Sequence, residues 1–255
     1  MKPILLILLC SMSCFSQDIT TFAKDTPLMN IVTQLFDGKL NKATGECEWQ
    51  PNTGERFQFG TGKGQVLYTV IDTTFVYHTG HTQELIVATS TYSKDGRGQR
   101  EDCHICAPAL SLITMQDAPE ARQYVVADFS KYVSAYGGWG EPGSLSLIEI
   151  AEFVPLVVID WGYTGQGATY SYKTMYYKGL PVLDIITHID NEGATDEADE
   201  SYSFDTTMAV DRDKGRLIFT KTGTEPDGKG KIIKVNQTTT YRFDTDNITF
   251  DKVCD

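Results

Sequence analysis

The chain has 255 residues and a formal net charge of −12, with 34 Asp and Glu against 22 Lys and Arg. That balance excludes a nucleic-acid footprint, which needs clustered Lys and Arg, and it disfavours an anionic membrane surface for the same reason. Much of the excess lies at 190–200, where Asp190, Glu192, Asp196, Glu197, Asp199 and Glu200 read as one solvated loop.

The N-terminus has the layout of a secretory signal peptide. Lys2 gives a short positive start, 4–9 is an unbroken apolar run, and small residues lead to Ser16-Gln17-Asp18. Cleavage after Ser16 is expected, leaving an exported mature chain, periplasmic or secreted, of roughly 240 residues, ample for a hydrophobic core. A lipoprotein anchored through Cys14 is the alternative, with Ser13 before it but Ser11 where a lipobox wants Leu, and bulky Phe15 after it. No later stretch approaches the ~18 consecutive apolar residues of a membrane-spanning helix, so no transmembrane segment is expected.

Next comes one amphipathic helix. Leu28, Ile31, Val32, Leu35 and Phe36 fall on a single helical face, with Thr26 as N-cap, Pro27 at the first helical position and Gly38 as stop. From 65 onward the pattern changes to short runs rich in Val, Ile, Thr, Tyr and Phe: 66–71, 84–91, 109–115, 123–129, 145–150, 156–159, 168–177, 182–189, 202–210, 216–221, 232–243 and 248–253. Turn signals separate them at Asp95-Gly96, Lys178-Gly179, Asp213-Lys214-Gly215 and Asp227-Gly228. The expectation is a mainly β fold, an antiparallel sandwich, barrel or propeller-like stack of about a dozen short strands with one N-terminal helix. With no low-complexity linker and no firm internal repeat, 17–255 reads as one domain, 17–64 a helix and linker region and 65–255 the β body.

Four cysteines survive processing. In an exported chain the expected pairing is Cys103 with Cys106, already close in a tight turn, and Cys47 with Cys254. The second bridge would close a loop of about 200 residues, worth on the order of 5 kcal/mol in the chain-entropy model. Two alternatives use the same Cys103-x-x-Cys106. His104 would stabilise a thiolate in a redox pair, although the βαβ context of thioredoxin-like enzymes is absent. Alternatively, Cys103, His104 and Cys106 with His78 and His81 would form a set acceptable to zinc or copper, provided a turn at Thr79-Gly80 brings the last two together. Asp211-Arg212-Asp213 and Asp244-Thr245-Asp246-Asn247 resemble fragments of calcium loops but lack the ordered oxygens and read as β-turns.

Two glycine-aromatic segments, Tyr136-Gly137-Gly138-Trp139-Gly140-Glu141 and Trp161-Gly162-Tyr163-Thr164-Gly165-Gln166-Gly167, carry the ligand-site expectation. Glycines expose flat rings and admit a ligand to the backbone, while Glu141, Asp160 and Gln166 can hydrogen-bond hydroxyl groups. A site for a glycan or peptide is expected where Tyr136, Trp139, Trp161, Tyr163 and Gln166 converge. With only four histidines and no Ser/His/Asp arrangement, no catalytic residue is assigned.

Cys103-His104-Ile105-Cys106-Ala107-Pro108, Tyr136-x-x-Trp139-Gly140, Gly162-Tyr163-x-x-Gln166-Gly167 and Tyr241-Arg242-Phe243 together resemble a pattern shared by uncharacterised exported bacterial proteins. Those carry Cys-His-x-Cys-x-Pro, Gly-x-Trp-Gly and Gln-Gly stretches in this order, then a closing Tyr-x-Phe. The resemblance covers roughly 65–250, leaves the helix outside it, implies no activity, and suggests that the three motifs belong to one design. The functional expectation is an exported non-catalytic binding or cell-envelope interaction protein without a cofactor, its partner a glycan, peptide or protein. A periplasmic thiol-redox or zinc- or copper-binding protein is the alternative.

Overall fold

The computed structural model describes residues 20–51, 65–80, 82–101, 107–134, 137–138, 141–165, 167–191 and 201–253. In chain order the elements are β1 (Thr21–Ala23), α1 (Leu28–Leu35), β2 (Lys39–Asn41), β3 (Glu46–Trp49), β4 (Leu67–Thr79), β5 (Thr82–Tyr92), β6 (Ala109–Ala118), β7 (Gln123–Ser134), β8 (Gly137–Gly138) and β9 (Glu141–Pro142). They continue with β10 (Ser144–Ala151), β11 (Val154–Gly165), β12 (Ala168–Tyr177), β13 (Leu180–Asp190), β14 (Ser203–Asp211), β15 (Arg216–Pro226), β16 (Ile232–Asp244) and β17 (Thr249–Val253). Among the described residues they form two large antiparallel sheets and a two-stranded one of β8 and β9. The first has the order β1-β7-β6-β5-β4-β3-β2, and the second is an eight-stranded meander from β10 to β17 that curls into a half-barrel. Among the described residues the fold is thus sandwich-like and mainly β, with one α-helix. Among the described residues no helix is long and apolar enough to cross a membrane.

Three layers of core follow from side-chain alternation. Along β5, Leu85 and Val87 point to the helix side of the first sheet and pack with Ile31, Val32 and Phe36. Their neighbours Ile86 and Ala88 point the other way, against Val157, Ile159 and Tyr176 of the second sheet. A strand covered on both faces needs apolar residues at consecutive positions, which is why 84–91 and 109–115 are near-continuous apolar runs. On β11 the alternation repeats, with Leu156 and Val158 turned into the hollow of the curled sheet beside Met175, Leu217 and Phe219.

The segment 17–64 is more than helix and linker. It contributes β1, β2 and β3 to the first sheet, with β3 paired to β4 through Cys47↔Thr69 and Trp49↔Leu67. Strands are also longer than expected, β4 and β16 reaching 13 residues each. In β4 the continuation past 71 comes through an irregularity at Asp72, where Ile71 pairs Thr89 and Thr73 pairs Ala88; a bulge lets a strand bend and go on. The helix starts one residue later than expected. Pro27 holds the capping position without a side-chain cap, and its carbonyl accepts from Asn30 and Ile31.

The helix stop has a different cause from the one expected. Asp37, at φ 53°, is the left-handed residue, while the amides of Asp37 and Gly38 donate to Gln34 and Thr33 in a Schellman arrangement. Gly38 is needed for space: a Cβ there would overlap the Cys47 Sγ and lie 2.9 Å from the Glu48 carbonyl oxygen. Gly38→Ala is therefore expected to lower the unfolding free energy by about 1–3 kcal/mol. Adding Cys47→Ala should restore only part, because the Glu48 carbonyl remains; chemical denaturation of the single and double variants checks this, and equal losses in both would contradict it.

Expected turns form where their residues dictate. Lys178 and Gly179 both have positive φ and close β12 onto β13 with Tyr177↔Leu180. At the 244–247 turn the Asp244 carboxylate accepts the amides of Asp246 and Asn247 at 2.9 and 3.2 Å, so its oxygen serves its own turn. Those bonds, led by Asn247, hold its carboxyl below the ordinary range.

Candidate functional site

Trp161 and Tyr163 lie in the body of β11, and β12 places Tyr172 and Tyr170 directly opposite them. The four side chains stand on the face that carries Val157 and Ile159 further along the strand, with Trp161 packed against the core between the sheets. They form a column of nearly parallel rings: Trp161 to Tyr172 at 4.3 Å and 12°, Tyr172 to Tyr163 at 6.4 Å and 10°, Tyr163 to Tyr170 at 5.0 Å and 20°. Such cross-strand aromatic pairs each stabilise a sheet by roughly 0.5–1 kcal/mol. The column is anchored at its inner end, where the Trp161 indole N–H donates to Thr174 Oγ1 at 3.2 Å and the Thr174 hydroxyl donates to Asp184 at 2.6 Å. At its outer end Tyr163 is 44% exposed. Burial, reinforced by the adjoining Tyr163 hydroxyl, raises the Tyr172 phenol above its ordinary pKa. Gly162 permits the close pairing, since a Cβ there would clash with the Tyr170 carbonyl oxygen at 2.5 Å.

Facing this end of the second sheet, the first sheet presents a charged cluster. Glu46, only 8% exposed, accepts from the Tyr92 hydroxyl and from Lys94 Nζ, the latter at 2.6 Å. Lys94 sits 4.0 Å over the Tyr68 ring and Arg100 4.0 Å over Tyr92, and Tyr68 stacks on Tyr92. Arg100 also reaches Glu141 on β9 at 3.4 Å. The short β8 strand lies against β11, and Gly143 abuts Trp161. The hairpin of β8 and β9 thus stands between charged cluster and aromatic column. Burial alone would raise the pKa of Glu46, but the bonds from Lys94, Tyr92 and Thr44 and the Lys94 charge together hold it below the ordinary range.

At the opposite end the sheets enclose a cavity of about 60 Å³, lined by residues that include Glu84, Thr114, Phe153, Val157 and Tyr176. That volume admits a few waters and no organic ligand. The Glu84 carboxylate there accepts from Gln116 at 3.0 Å.

Of the expected ligand residues, Trp161 and Tyr163 are brought together, while Tyr136, Trp139 and Gln166 lie outside the described residues. The described neighbours of these three, Ser134, Gly137, Glu141, Gly165 and Gly167, belong to strand ends and turns on the same side of the molecule. His78 is exposed at the far end of β4, opposite Gln83. Glu101, which leads into Cys103-His104-Ile105-Cys106, bonds through its amide to Ser93 at the other end of β5. Ten strand residues, about 33 Å, separate Gln83 from Ser93, so His78 and Glu101 stand at opposite ends of β5. His81, Cys103, His104, Cys106 and Cys254 lie outside the described residues, as does the leader with Cys14. Cys47 is a free thiol, fully buried in the core under α1, where burial raises its pKa. Among the described residues no group of three or more His, Cys, Asp and Glu is placed to hold a metal ion.

Sequence reasoning missed Tyr170, Tyr172 and the whole of the Glu46 cluster. Tyr170 and Tyr172 were detectable, since they alternate with Ser171 and Lys173 at strand period opposite Trp161-x-Tyr163. Glu46 and Tyr92 are 46 residues apart and carried no local signal. No family model matches this chain, and no curated protein and no solved structure matches it either.

Proposed function

We propose that the chain is an exported, non-catalytic binding protein that holds a glycan of the cell envelope on the aromatic column of β11 and β12. The observation that carries this is the outer end of a pre-formed stack, with Tyr163 exposed and Tyr170 and Tyr172 half-buried beside it. Sugar recognition asks for an apolar ring against C–H groups and for hydroxyl partners beside it. Tyrosines supply both from one side chain, and rings locked by stacking lose little freedom on binding. The export reading rests on the leader-like 1–16. The grouping with exported proteins that share the Cys-His-x-Cys-x-Pro, Trp-Gly and Gln-Gly stretches belongs to the same proposal, because Trp161-Gly162-Tyr163 runs directly into the third of them.

The test is a screen of soluble glycans and cell-wall fragments against wild type, Tyr163→Ala and Tyr163→Phe. Tyr163→Phe keeps both ring contacts and should melt as wild type does, whereas Tyr163→Ala loses two cross-strand ring contacts and should melt somewhat lower, so binding is compared at a temperature where circular dichroism shows both variants folded. Tyr163→Ala is expected to weaken binding at least tenfold, and Tyr163→Phe, which keeps the ring, by less. No glycan bound, or full binding by Tyr163→Ala, would sink the proposal; binding of peptides in place of glycans would do so too.

A further inference from the structure

One edge of β16 is open over more than half its length. β16 pairs with β15 from Ile232↔Pro226 to Arg242↔Arg216, but β17 covers its other edge only from Thr240↔Val253 to Asp244↔Thr249. Opposite 232–239 no described residue is paired, and Lys234, Asn236, Gln237 and Thr238 are exposed. Which backbone groups face outward follows from one bond. The Phe243 amide donates to the Gly215 carbonyl on the β15 side at 3.1 Å, and no register shift interrupts either ladder of β16. Alternation then turns the backbone groups of odd-numbered residues toward β15 and those of even-numbered residues toward β17. Beyond the end of β17, Lys234, Asn236 and Thr238 thus each aim an N–H and a C=O at solvent, at a repeat of about 6.8 Å. The other sheet edges offer less. β1 and β2, the outer strands of the first sheet, have three residues each, and β10 has the 212–214 turn, β14 and β15 against it.

We propose that this edge takes up an extended acidic segment of a partner protein as an added strand, in line with the end of β17. Outward donors and acceptors at strand repeat select a polypeptide, and the side chains around them select its charge. Lys234 lies on the open stretch, and Lys229 and Lys231 stand in the turn that leads into it. All three are exposed, and none is held in an ion pair or over a ring. The carboxylate of that turn serves its own backbone: Asp227 Oδ1 accepts the amides of Lys229 and Lys231 at 2.8 and 3.0 Å. Glu225 is paired with Lys221. Asp205 lies on the far side of β15, beyond Thr222, and is bonded to His188 at 2.8 Å. The tip of this hairpin therefore carries a local positive excess in a chain of net charge −12. With a Debye length of about 8 Å at physiological ionic strength, a strand docked on β16 senses the lysines before the distant acids. The two faces of the added strand are specified as well. One would meet Lys234, Asn236 and Thr238, the other Ile233, which is 42% exposed, and half-buried Val235. The fitting segment alternates acidic and apolar residues. This edge is separate from the aromatic column and does not depend on the glycan reading.

The experiment titrates end-blocked, strand-length peptides that alternate Glu with Val, Ile or Thr against the purified full chain, read by fluorescence anisotropy, with amide hydrogen exchange at saturation. Expected is binding that slows exchange at Lys234, Asn236 and Thr238 at least tenfold. The same peptides with Lys in place of Glu should bind at least tenfold more weakly, and N-methylation of alternate backbone amides should abolish binding although every side chain is kept. Asn236→Pro removes an outward N–H and no bond to β15, so it should abolish binding while circular dichroism shows the fold retained. Lys231→Glu combined with Lys234→Glu, both at exposed positions, should weaken binding at least tenfold without lowering the melting temperature. The proposal fails if no acidic peptide binds, if the lysine or N-methylated peptides bind as well, if protection falls on another strand, or if these three amides are already protected in the free protein. Displacement of the peptide by polyphosphate at equal charge concentration would make the tip a general anion patch and overturn the proposal. Protection that rises with protein concentration alone would assign the edge to a second copy of this chain and overturn it too.

Discussion

Replacing Trp49 with alanine is expected to lower the unfolding free energy by about 3–5 kcal/mol, the range for deleting a buried aromatic ring. Trp49 is 4% exposed and joins helix to sheet. Its ring lies 5.1 Å from Phe36 at the end of α1 and stacks on Tyr132 of β7 at 6.2 Å, with Lys131 5.2 Å from its centroid. The indole N–H donates to Thr69 Oγ1 at 2.9 Å, and Thr69 shares a hydrogen bond with Thr91 at 2.7 Å, so one side chain ties β3 to β4 and β5. Trp49→Phe keeps most of the packing and loses the indole donor, a loss of about 1 kcal/mol plus the smaller ring. Guanidinium unfolding followed by circular dichroism distinguishes the two. Amide exchange should show α1 opening first in Trp49→Ala, because its apolar face packs on this ring and its neighbours. If Trp49→Ala melted within a degree of wild type, the helix would not be held as described.

Trp49 also marks where the sequence stopped being informative. The helix could be read because Leu28, Ile31, Val32, Leu35 and Phe36 repeat at helical spacing within one short stretch. The doubly buried strands β5 and β6 could be read because β-branched runs with turns at their ends have few other uses. β2 and β3 could not. Lys39-Leu40-Asn41 and Glu46-Cys47-Glu48-Trp49 are too short to show a period, and the glutamates look like surface until Tyr92 and Lys94 close over Glu46 from a distant part of the chain. The candidate site was half legible for a related reason. Trp161 and Tyr163 stood out because glycines flank them, whereas Tyr170 and Tyr172 gain their meaning only when β12 folds back on β11. β13 pairs with β14 only through His188, Ile189 and Asp190, and no property of those residues announces where the pairing stops.

Glu46→Ala is expected to cost about 2–3 kcal/mol near neutral pH, the range for losing hydrogen bonds to a charged group, here in a part-buried ion pair. The alanine would leave Lys94, whose side chain is 17% exposed, and the Tyr92 hydroxyl without their shared acceptor. Glu46→Gln keeps an oxygen for Tyr92 but removes the charge that Lys94 answers, and should lose about half as much. The pH dependence follows from the direction of each shift. Glu46 has a folded pKa below its ordinary 4.5, so its stabilisation is complete above that value and is lost as pH falls through the lowered one. Tyr92 is shifted the other way, pushed up to about 12 from 10.0 by burial and by its bond to Glu46. Its contribution is complete below its ordinary pKa and is lost as pH rises through about 12. The stability gap between wild type and Glu46→Ala should therefore be flat from about pH 5 to 9 and shrink on acidification. In Glu46→Ala the Tyr92 phenol should also ionise at lower pH, measured as phenolate absorbance against a Tyr92→Phe control. A gap that stayed constant down to pH values well below 4.5 would mean that the carboxylate does not hold this end of the first sheet together.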